Sequence, residues 1–550
     1  MLRSTLAAVV SATLAVTRLT AADPIRDIQN AAIEQNKSPV AHWGLDPEDY
    51  TQWTTHSLRL IPVYTFGTAC SGPGVNLCSH IGRNSPYRTE QGVTELYGHL
   101  PTNTLNATAE YGDQVCVGAI QRAAAKAGKK HIFLVIFDGM DWQTTQAAAI
   151  YNAGRVGYTK GRGTGLHFLD YTAGGTTQYG FVVTAPANDG TNEDVNTQTV
   201  DNPGGTRPGG YNAVQGGGAP WDPGANHAYR LGKDEHPYPD SANTATALCT
   251  GEKSYNGAIN VDVNGNQLAT VAHDVQQQGW AIGVVTSVPI SHATPSAAYA
   301  HNVGRDDYQD LTRDLLGLPS IAHPNQPLAG VDVLIGTGFG DVREEAKGQG
   351  NNFVPGNAWI TAADQQSIDV AHGGAYVVAQ RTAGADGTDV LQHAADQAAA
   401  QHARLFGFFG HPKFGHLPFR TADGDYVPAK GPKGAEEYTS EDLTENPTLA
   451  EMTAAALTVL QDDPDGSWLM VEAGDVDWAN HDDNLDNSIG AVISGDMAIK
   501  VITDWVETHS NWNESLLIVT ADHGHDLNLL QPEVVAAAHN PDAGRHTSAK

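Results

Sequence analysis

Several short apolar runs of this sequence are each followed by a carboxylate, a hydroxyl or an imidazole. Carboxylates, hydroxyls and imidazoles recur at these positions, and such groups are ligands for divalent cations. The residues are Asp138 after the run at 132–137, His292 and Thr294 after 281–286, Glu472 after 468–471, and Asp522 with His523 after 516–519. Ligands of open α/β sheets bind at the carboxyl ends of the strands, so we expect one shared site. For any single run, capping of the next helix is the simpler explanation.

The segment VEAGDVDWANHDD adds a carboxylate and an imidazole four residues apart, Asp477 and His481. On a helix, residues at this spacing point to the same side. One carboxylate and one imidazole form half of a typical zinc site. An exposed ion pair between the two side chains is the alternative interpretation.

A serine follows an aspartate in HPYPDSANTATALCTGEK, where the small residues after it predict a helix. Ser241 would then lie at the helix N-terminus, where free N–H groups favour an anion. A serine next to metal ligands can lose its proton and attack phosphorus. Asp240 and Ser241 would also serve simply as helix caps, and spacing alone does not choose between these interpretations.

Short apolar runs that alternate with helical stretches predict the elements that carry these residues. The predicted strands are 132–137, 281–286, 331–336, 468–471 and 516–519, and the predicted helices include 27–35, 451–461 and 495–509. This alternation predicts an α/β fold, with a largely parallel central sheet flanked by helices on both faces. We expect a catalytic domain over 131–550, with a Gly-rich loop insertion at about 185–226. Residues 23–130 are predicted to form an N-terminal extension of loops and short helices that packs on this domain.

Composition excludes several classes of partner. The chain has 550 residues, with 31 Lys plus Arg against 62 Asp plus Glu and a formal net charge of −31. Such an excess of acidic groups disfavours nucleic acids and anionic membrane surfaces. Residues 1–22 combine Arg3, an apolar stretch and small residues, which predicts a secretory signal peptide cleaved near Ala22. We therefore expect a secreted or periplasmic protein without a transmembrane span.

The cysteines and two other histidines give weaker signals. Of Cys70, Cys78, Cys116 and Cys249, the first two are the nearest neighbours and the favoured disulfide pair in an exported protein. His411 and His416 in FFGHPKFGHLPF suggest a fourth metal site, although packing histidines are the simpler interpretation.

Taken together, these segments resemble the alkaline phosphatases. PDSANTATALCTGEKSYNGAINVD is similar to the nucleophile segment of that family, and FDGMD to its first metal-binding strand end. SHATPSAAYAHNVGRDDY is similar to the stretch with a metal-binding threonine and a phosphate-binding arginine. VEAGDVDWANHDD and VTADHGHD resemble the two later metal segments. The resemblance covers about residues 131–550.

The resemblance implies a role for each matching residue. It implies two zinc ions and one magnesium ion per chain, and a phosphate monoester as substrate. Ser241 would be the nucleophile that forms a phosphoserine, and Arg305 would bind two phosphate oxygens. The implied ligands are Asp138 between a zinc and the magnesium, Asp522 and His523 at the zinc beside the serine, Asp477 and His481 at the second zinc, and Thr294 and Glu472 at the magnesium. His292 and Trp478 would tune the magnesium site or serve as structural residues.

The second zinc of the family needs a further histidine within a His-Thr pair. His546-Thr547 fits this pattern, close to the end of the sequence. His539 and His525 are less suitable substitutes. The sequence leaves open whether the chain forms a homodimer.

Other functions compete with a phosphomonoesterase that scavenges phosphate. A phosphodiesterase or sulfatase of the same superfamily is disfavoured, because the sequence has no CxPxR signature and Arg305 suits a monoester dianion. An acidic, metal-binding surface protein without catalytic activity is the alternative from another class.

Overall fold

A ten-stranded sheet forms the centre of the molecule. The computed structural model describes residues 23–222 and 237–539, so the predicted signal peptide and His546 lie outside the described residues. In chain order the strands are β1 (Ile61–Phe66), β2 (Gly112–Asp113), β3 (His131–Phe137), β4 (Gln178–Val183), β5 (Ala281–Pro289), β6 (Val333–Thr337), β7 (Tyr376–Gln380), β8 (Arg404–Phe408), β9 (Ser467–Ala473) and β10 (Ser515–Ala521). Their order across the sheet is β7-β8-β6-β5-β9-β3-β10-β1-β4-β2.

The sheet is largely parallel, as predicted. Strand β1 is antiparallel to both neighbours, β10 and β4, whereas every other neighbouring pair is parallel. The five apolar runs form β3, β5, β6, β9 and β10, each within a few residues of its predicted bounds. Parallel strands end at one edge of the sheet, so their carboxyl ends bring the predicted ligands together.

Helices cover both faces of the sheet. They are α1 (Pro24–Gln35), α2 (Glu90–Tyr97), α3 (Val115–Lys126), α4 (Trp142–Ala153), α5 (His167–Asp170), α6 (Ala213–Gly216), α7 (Ser241–Thr250), α8 (Val271–Gln276), α9 (Ala293–Ala297), α10 (Tyr308–Leu316), α11 (Ala362–Ile368), α12 (Gly387–Gln401), α13 (Ser440–Thr444), α14 (Leu449–Leu460), α15 (Asp475–His481), α16 (Leu485–His509) and α17 (Pro532–Ala537). Trp468 of β9 donates to Gln121 of α3, whereas its neighbour Leu469 lies on the side of α14. Successive strand residues point to opposite faces, so α3 and α14 cover different sides.

The N-terminal segment contributes to the sheet itself. Residues 23–130 form α1, α2 and α3, and they also form β1 and β2, two strands of the sheet that the sequence analysis did not predict. Pro62 obscures the strand signal of IPVYTF, because proline is uncommon within central strands. It lies just before the ladder that pairs Val63–Phe66 with β10. Buried residues of this segment join those of the other strands in one hydrophobic core.

The Gly-rich region and the exposed Cys70 and Cys78 lie outside this core, whereas Cys116 and Cys249 are buried within it. Residues 188–208 form two short antiparallel ladders, Asn188–Asp189 with Arg207–Pro208 and Glu193–Asp194 with Thr199–Val200. All four cysteines are free, so the predicted pair Cys70–Cys78 is not bonded. Within the described residues, no helix combines the length and apolar character needed to cross a membrane.

Candidate active site

Ser241 is the first residue of α7 and faces a buried polar centre. Asp240 caps the helix, because its carboxylate accepts the N–H of Asn243. The Ser241 Oγ atom lies 3.2 Å from His523 Nε2 and 3.4 Å from Asp138 Oδ1. The serine hydroxyl therefore contacts both an imidazole and a carboxylate at the N-terminus of a ten-residue helix, as the sequence predicted.

Around this hydroxyl lies the carboxylate cluster, which comprises Asp138, Glu472, Asp522 and His523. Asp138 directly follows β3, Glu472 lies in β9, and the other two follow β10. His523 Nε2 is 3.3 Å from Asp138 Oδ1 and 3.4 Å from Asp522 Oδ2. All four are buried. The sheet thus delivers three carboxylates and one imidazole from the carboxyl ends of three adjacent strands.

Two threonines and a histidine border the side of this cluster formed by Asp138 and Glu472. Thr294 of α9 donates its hydroxyl toward Asp138 Oδ2 at 3.5 Å, and Thr286 donates to Glu472. Asp138, Glu472 and His292 each offer one potential ligand atom, and these atoms lie within 4.8 Å of one another.

The carboxylate cluster carries more negative charge than its surroundings compensate. Burial, followed by repulsion from Asp522, raises the pKa of Asp138 well above its ordinary value. Burial also raises the pKa of Glu472 to about 8 and that of Asp522 to about 6. Glu472 Oε1 and His523 Nδ1 have no hydrogen-bond partner. Buried carboxylates with these properties fit bound divalent cations, which supply the missing positive charge.

A second group, the imidazole cluster, comprises Asp477, His481, His525 and His56. Asp477 and His481 lie on α15, and His525 Nε2 is 2.6 Å from Asp477 Oδ1. His481 Nε2 and His56 Nε2 lie 3.6 Å and 3.8 Å from the same oxygen. One potential ligand atom from each residue lies within 4.8 Å of the others. Although burial opposes it, the nearby His481 and His525 hold the pKa of Asp477 well below its ordinary value.

The sequence analysis missed His56. Its ring stacks on that of His523 with a centroid distance of 3.7 Å, and its Nε2 lies 3.2 Å from His481 Nε2. His56 Nδ1 contacts the Pro239 carbonyl at 2.6 Å, which fixes the ring. No motif marks His56, because it precedes a strand that was not foreseen. VTADHGHD contains His525, which was considered only as a substitute for His546.

Gly139 allows the two clusters to approach one another. Its φ of +73° lies in the left-handed region that favours glycine. A Cβ atom here would lie 2.7 Å from the His525 ring and 2.9 Å from Asp477 Cα. Its main-chain N–H also donates to Asp522 Oδ1 at 3.0 Å. A side chain at position 139 would therefore disturb both clusters at once.

Arg305 lies at the entrance to the site. Its Nη1 donates to Asp240 Oδ2 at 3.1 Å, and its Nη2 lies 3.3 Å from His292 Nε2. Burial, followed by the charge of Arg305, lowers the pKa of His292 to about 3, so its ring is neutral. Trp478 packs against His292 with its ring edge-on at 6.0 Å and is absent from the ligand groups. Asp240 and His292 thus hold the guanidinium next to Ser241.

The remaining histidines predicted as candidates lie elsewhere. His539 contacts the Tyr151 carbonyl on α4, away from both clusters. His411 and His416 pair with Asp442 and Glu436 and pack against Phe414. They belong to no metal-ligand group among the described residues, which favours the packing interpretation.

Comparison with known proteins gives a consistent result. The sequence profile of the family "Alkaline phosphatase" matches residues 224–540, more than half of the chain. This range contains Ser241 and the later ligands, whereas Asp138 and His56 precede it. Alkaline phosphatase H of Pseudomonas aeruginosa is 29% identical over 307 residues, which cover 54% of this chain and 60% of that protein. The alkaline phosphatase of Escherichia fergusonii is 28% identical over 308 residues, with the same coverage of 54% and 60%.

The matched part is thus about three fifths of the length of these two relatives. The crystal structure of a cold-active alkaline phosphatase from Shewanella sp. aligns with a TM-score of 0.41 and 21% identity. The alignment covers 72% of this chain and 68% of that one. At this TM-score the structural alignment adds nothing to the sequence matches.

Proposed function

Because the chain belongs to the alkaline phosphatase family, we propose that it hydrolyses phosphate monoesters to an alcohol and inorganic phosphate. One observation carries this proposal. The Ser241 hydroxyl lies at the N-terminus of α7, within 3.4 Å of both His523 and Asp138. A nucleophile in contact with metal-binding side chains is what transfer of a phosphoryl group requires.

We propose that two zinc ions and one magnesium ion bind here. Asp138, Asp522 and His523 would hold the zinc beside Ser241, and Asp138, Thr294 and Glu472 the magnesium. Asp477 and His481 would hold the second zinc. Among the described residues, His56 and His525 are the candidates for its third protein ligand, in addition to the predicted His546. When bound, such ions lower the pKa of a hydroxyl or water and neutralise developing charge.

Ser241 and Arg305 would act directly on the substrate. The Ser241 oxygen attacks phosphorus, the bond to the alcohol breaks, and a phosphoserine forms. Water then cleaves the phosphoserine, which releases phosphate and restores the hydroxyl. Arg305 binds two phosphate oxygens through its planar guanidinium, which Asp240 holds beside the serine. The N-terminus of α7 stabilises the same anion.

The cellular role is a further part of the proposal. The predicted signal peptide and the net charge of −31 fit a protein that is secreted or exported to the periplasm. A phosphomonoesterase in that location would release phosphate for uptake, so we propose phosphate scavenging as its role.

Hydrolysis of nitrophenyl phosphate by the purified protein tests the activity. We expect turnover that a chelator abolishes and that zinc with magnesium restores. The variant Ser241→Ala should lose about 10³-fold or more in kcat, because its side chain cannot form the phosphoserine. Ser254→Ala is the matched control, since this buried serine donates to the Val261 carbonyl outside the site.

The other outcomes distinguish the rival functions. Hydrolysis of bis-nitrophenyl phosphate alone would indicate a phosphodiesterase. Zinc binding without turnover of either ester would indicate a metal-binding protein without catalytic activity. Full activity of Ser241→Ala would overturn the assignment of the nucleophile.

A further inference from the structure

A separate group of potential metal ligands lies outside the active site. His301 lies between α9 and α10, Asp314 lies on α10, and His323 follows α10. We call these three residues the distal cluster. One nitrogen or carboxylate oxygen from each lies within 4.8 Å of the other two. The phosphatase mechanism proposed above uses none of them.

The buried imidazole of His301 has a nitrogen without a partner. His301 Nε2 lies 2.9 Å from the Leu268 carbonyl, an acceptor, so this nitrogen carries the proton. Nδ1 therefore has a lone pair. This atom makes no hydrogen bond, although His301 is buried, with only 6% of its surface exposed. A buried polar atom without a partner is uncommon and calls for a ligand.

Asp314 supplies a negative charge to the same point. Its carboxylate is fully buried, and Oδ2 accepts the main-chain N–H of His301 at 3.0 Å. Oδ1 accepts the Ser320 hydroxyl at 2.5 Å and lies 2.9 Å from His323 Nδ1. Among the described residues, His323 is the only basic side chain with a nitrogen within 4.0 Å of the Asp314 carboxylate, and no Lys or Arg lies that close. Buried carboxylates are ordinarily paired with a cation, and here the neighbouring groups are neutral donors and an imidazole.

A cavity of about 700 Å³ gives access to the cluster. His301 and His323 line this cavity, together with Gln267, His273 and Tyr299. His323 Nε2 lies 3.3 Å from Gln267 Oε1. If the proton of His323 moves from Nδ1 to Nε2, it can be donated to Gln267, and Nδ1 then has a free lone pair facing Asp314. In proteins, a metal-binding imidazole is oriented by a hydrogen bond of this kind, made by the ring nitrogen that does not bind the metal.

We propose that the distal cluster binds one divalent transition-metal ion of the zinc type, held by His301 Nδ1, the Asp314 carboxylate and His323 Nδ1. Two imidazoles and one carboxylate suit zinc, whereas magnesium and calcium prefer oxygen ligands alone. The remaining coordination position faces the cavity and takes water or a small anion. The ion links the segment that leads to Arg305 with α10 and with the segment after it, and thereby stabilises this part of the fold.

Counting zinc ions on the full-length protein tests the proposal. The protein is stripped with a chelator, reloaded with zinc, passed through a desalting column and analysed for zinc per chain. We expect His323→Gln and Asp314→Asn each to retain one zinc fewer than the unmodified chain, with hydrolysis of nitrophenyl phosphate retained. His372→Gln is the matched control, because His372 is an exposed histidine 3.5 Å from Asp369 and lacks a third ligand.

A crystal of the reloaded protein provides a measurement that needs no variant. Anomalous scattering at the zinc edge should show a peak between His301, Asp314 and His323. Absence of this peak in a crystal that shows zinc at Ser241 would overturn the proposal, as would an unchanged zinc count in His323→Gln. The same experiment on Ser241→Ala distinguishes this proposal from the proposed phosphatase function. We expect this variant to lose phosphatase activity and to retain the zinc at the distal cluster.

Discussion

The carboxylate cluster and the imidazole cluster lie side by side but differ in composition and exposure. The first has three carboxylates and one imidazole, all buried, and His523 has a fully buried side chain. The second has three imidazoles and one carboxylate, and the side chain of His481 is 36% exposed. The carboxylate cluster is built from strand ends, whereas the imidazole cluster combines a helix with two loops. A deep centre rich in carboxylates thus adjoins a more accessible centre rich in imidazoles.

The pKa of an aspartate is shifted in opposite directions in the two clusters. Burial raises the pKa of Asp522 to about 6, whereas His481 and His525 hold the pKa of Asp477 below its ordinary value. Two aspartates of the same site therefore differ because of their neighbours. The carboxylate cluster requires cations to offset its charge, and the imidazole cluster already contains partners for its one carboxylate.

The largest expected effect is on the carboxylate cluster. Asp522→Asn would remove an anionic ligand of the proposed zinc beside Ser241, so we expect kcat for nitrophenyl phosphate to fall about 10³-fold. Asp496→Asn is the matched control, because this buried aspartate accepts the N–H groups of His167 and Phe168 outside both clusters. Equal losses in the two variants would mean that the effect comes from general destabilisation.

A smaller effect is expected in the imidazole cluster. His56→Gln removes a ring that contacts His481 and stacks on His523, and we expect activity to fall about 10- to 100-fold. Because this cluster is accessible, excess zinc should restore most of the activity. His539→Gln should retain full activity, since His539 contacts only α4 and its surroundings. A His56→Gln variant with unchanged activity and zinc content would exclude His56 from the site.

The smallest expected effects concern the stability of the protein after a chelator has removed its metal ions. Substitutions in the two clusters should change the free energy of unfolding in opposite directions. The pKa of Asp522 in the folded state is about 6, above the ordinary value of about 3.9, so its charge destabilises the fold as the pH rises through 6. At pH 8, Asp522→Asn should therefore raise the free energy of unfolding by about 1–3 kcal/mol. At pH 5 this gain should fall to about half, and near pH 4, close to the ordinary pKa of an aspartate, it should largely disappear.

Asp477→Asn should act in the opposite direction. The pKa of Asp477 is depressed in the folded state, so its charge stabilises the fold at any pH above about 4. The substitution should lower the free energy of unfolding by about 1–3 kcal/mol at both pH 5 and pH 8. Urea denaturation with chelator present measures both variants. If the two substitutions changed the free energy of unfolding in the same direction at pH 8, the two clusters would not differ in their electrostatics.

The carboxylate cluster was the more predictable of the two from sequence. IFLVIF, WLMV and LLIV are continuous apolar runs, as a strand buried on both faces requires. Each run is followed within three residues by a member of the carboxylate cluster. The position of Ser241 followed from the cap Asp240 and the small residues after it. Local patterns therefore predicted most of the fold and the residues at the strand ends.

The imidazole cluster was predicted only in part, because the spacing of Asp477 and His481 was recognised but the contact with His56 follows from no local pattern. His56 and His481 are 425 residues apart in the sequence, and they meet because β1 lies between β10 and β4. Pro62 and the short length of IPVYTF concealed that strand. The distal cluster likewise joins residues that are separate in sequence, His301, Asp314 and His323, and carries no recognisable motif.

The position of β1 also bears on how the protein reaches its active form. This strand is made early, but its partner β10 is completed only after residue 521 has been synthesised. Closing a loop of roughly 450 residues is slow and entropically costly. Until β10 has joined the sheet, β1 lacks one of its two neighbours, and Asp522 and His523 cannot join Ser241. Acquisition of the complete site is thus a late event in folding, and a chain interrupted before β10 retains the nucleophile without the groups that would activate it.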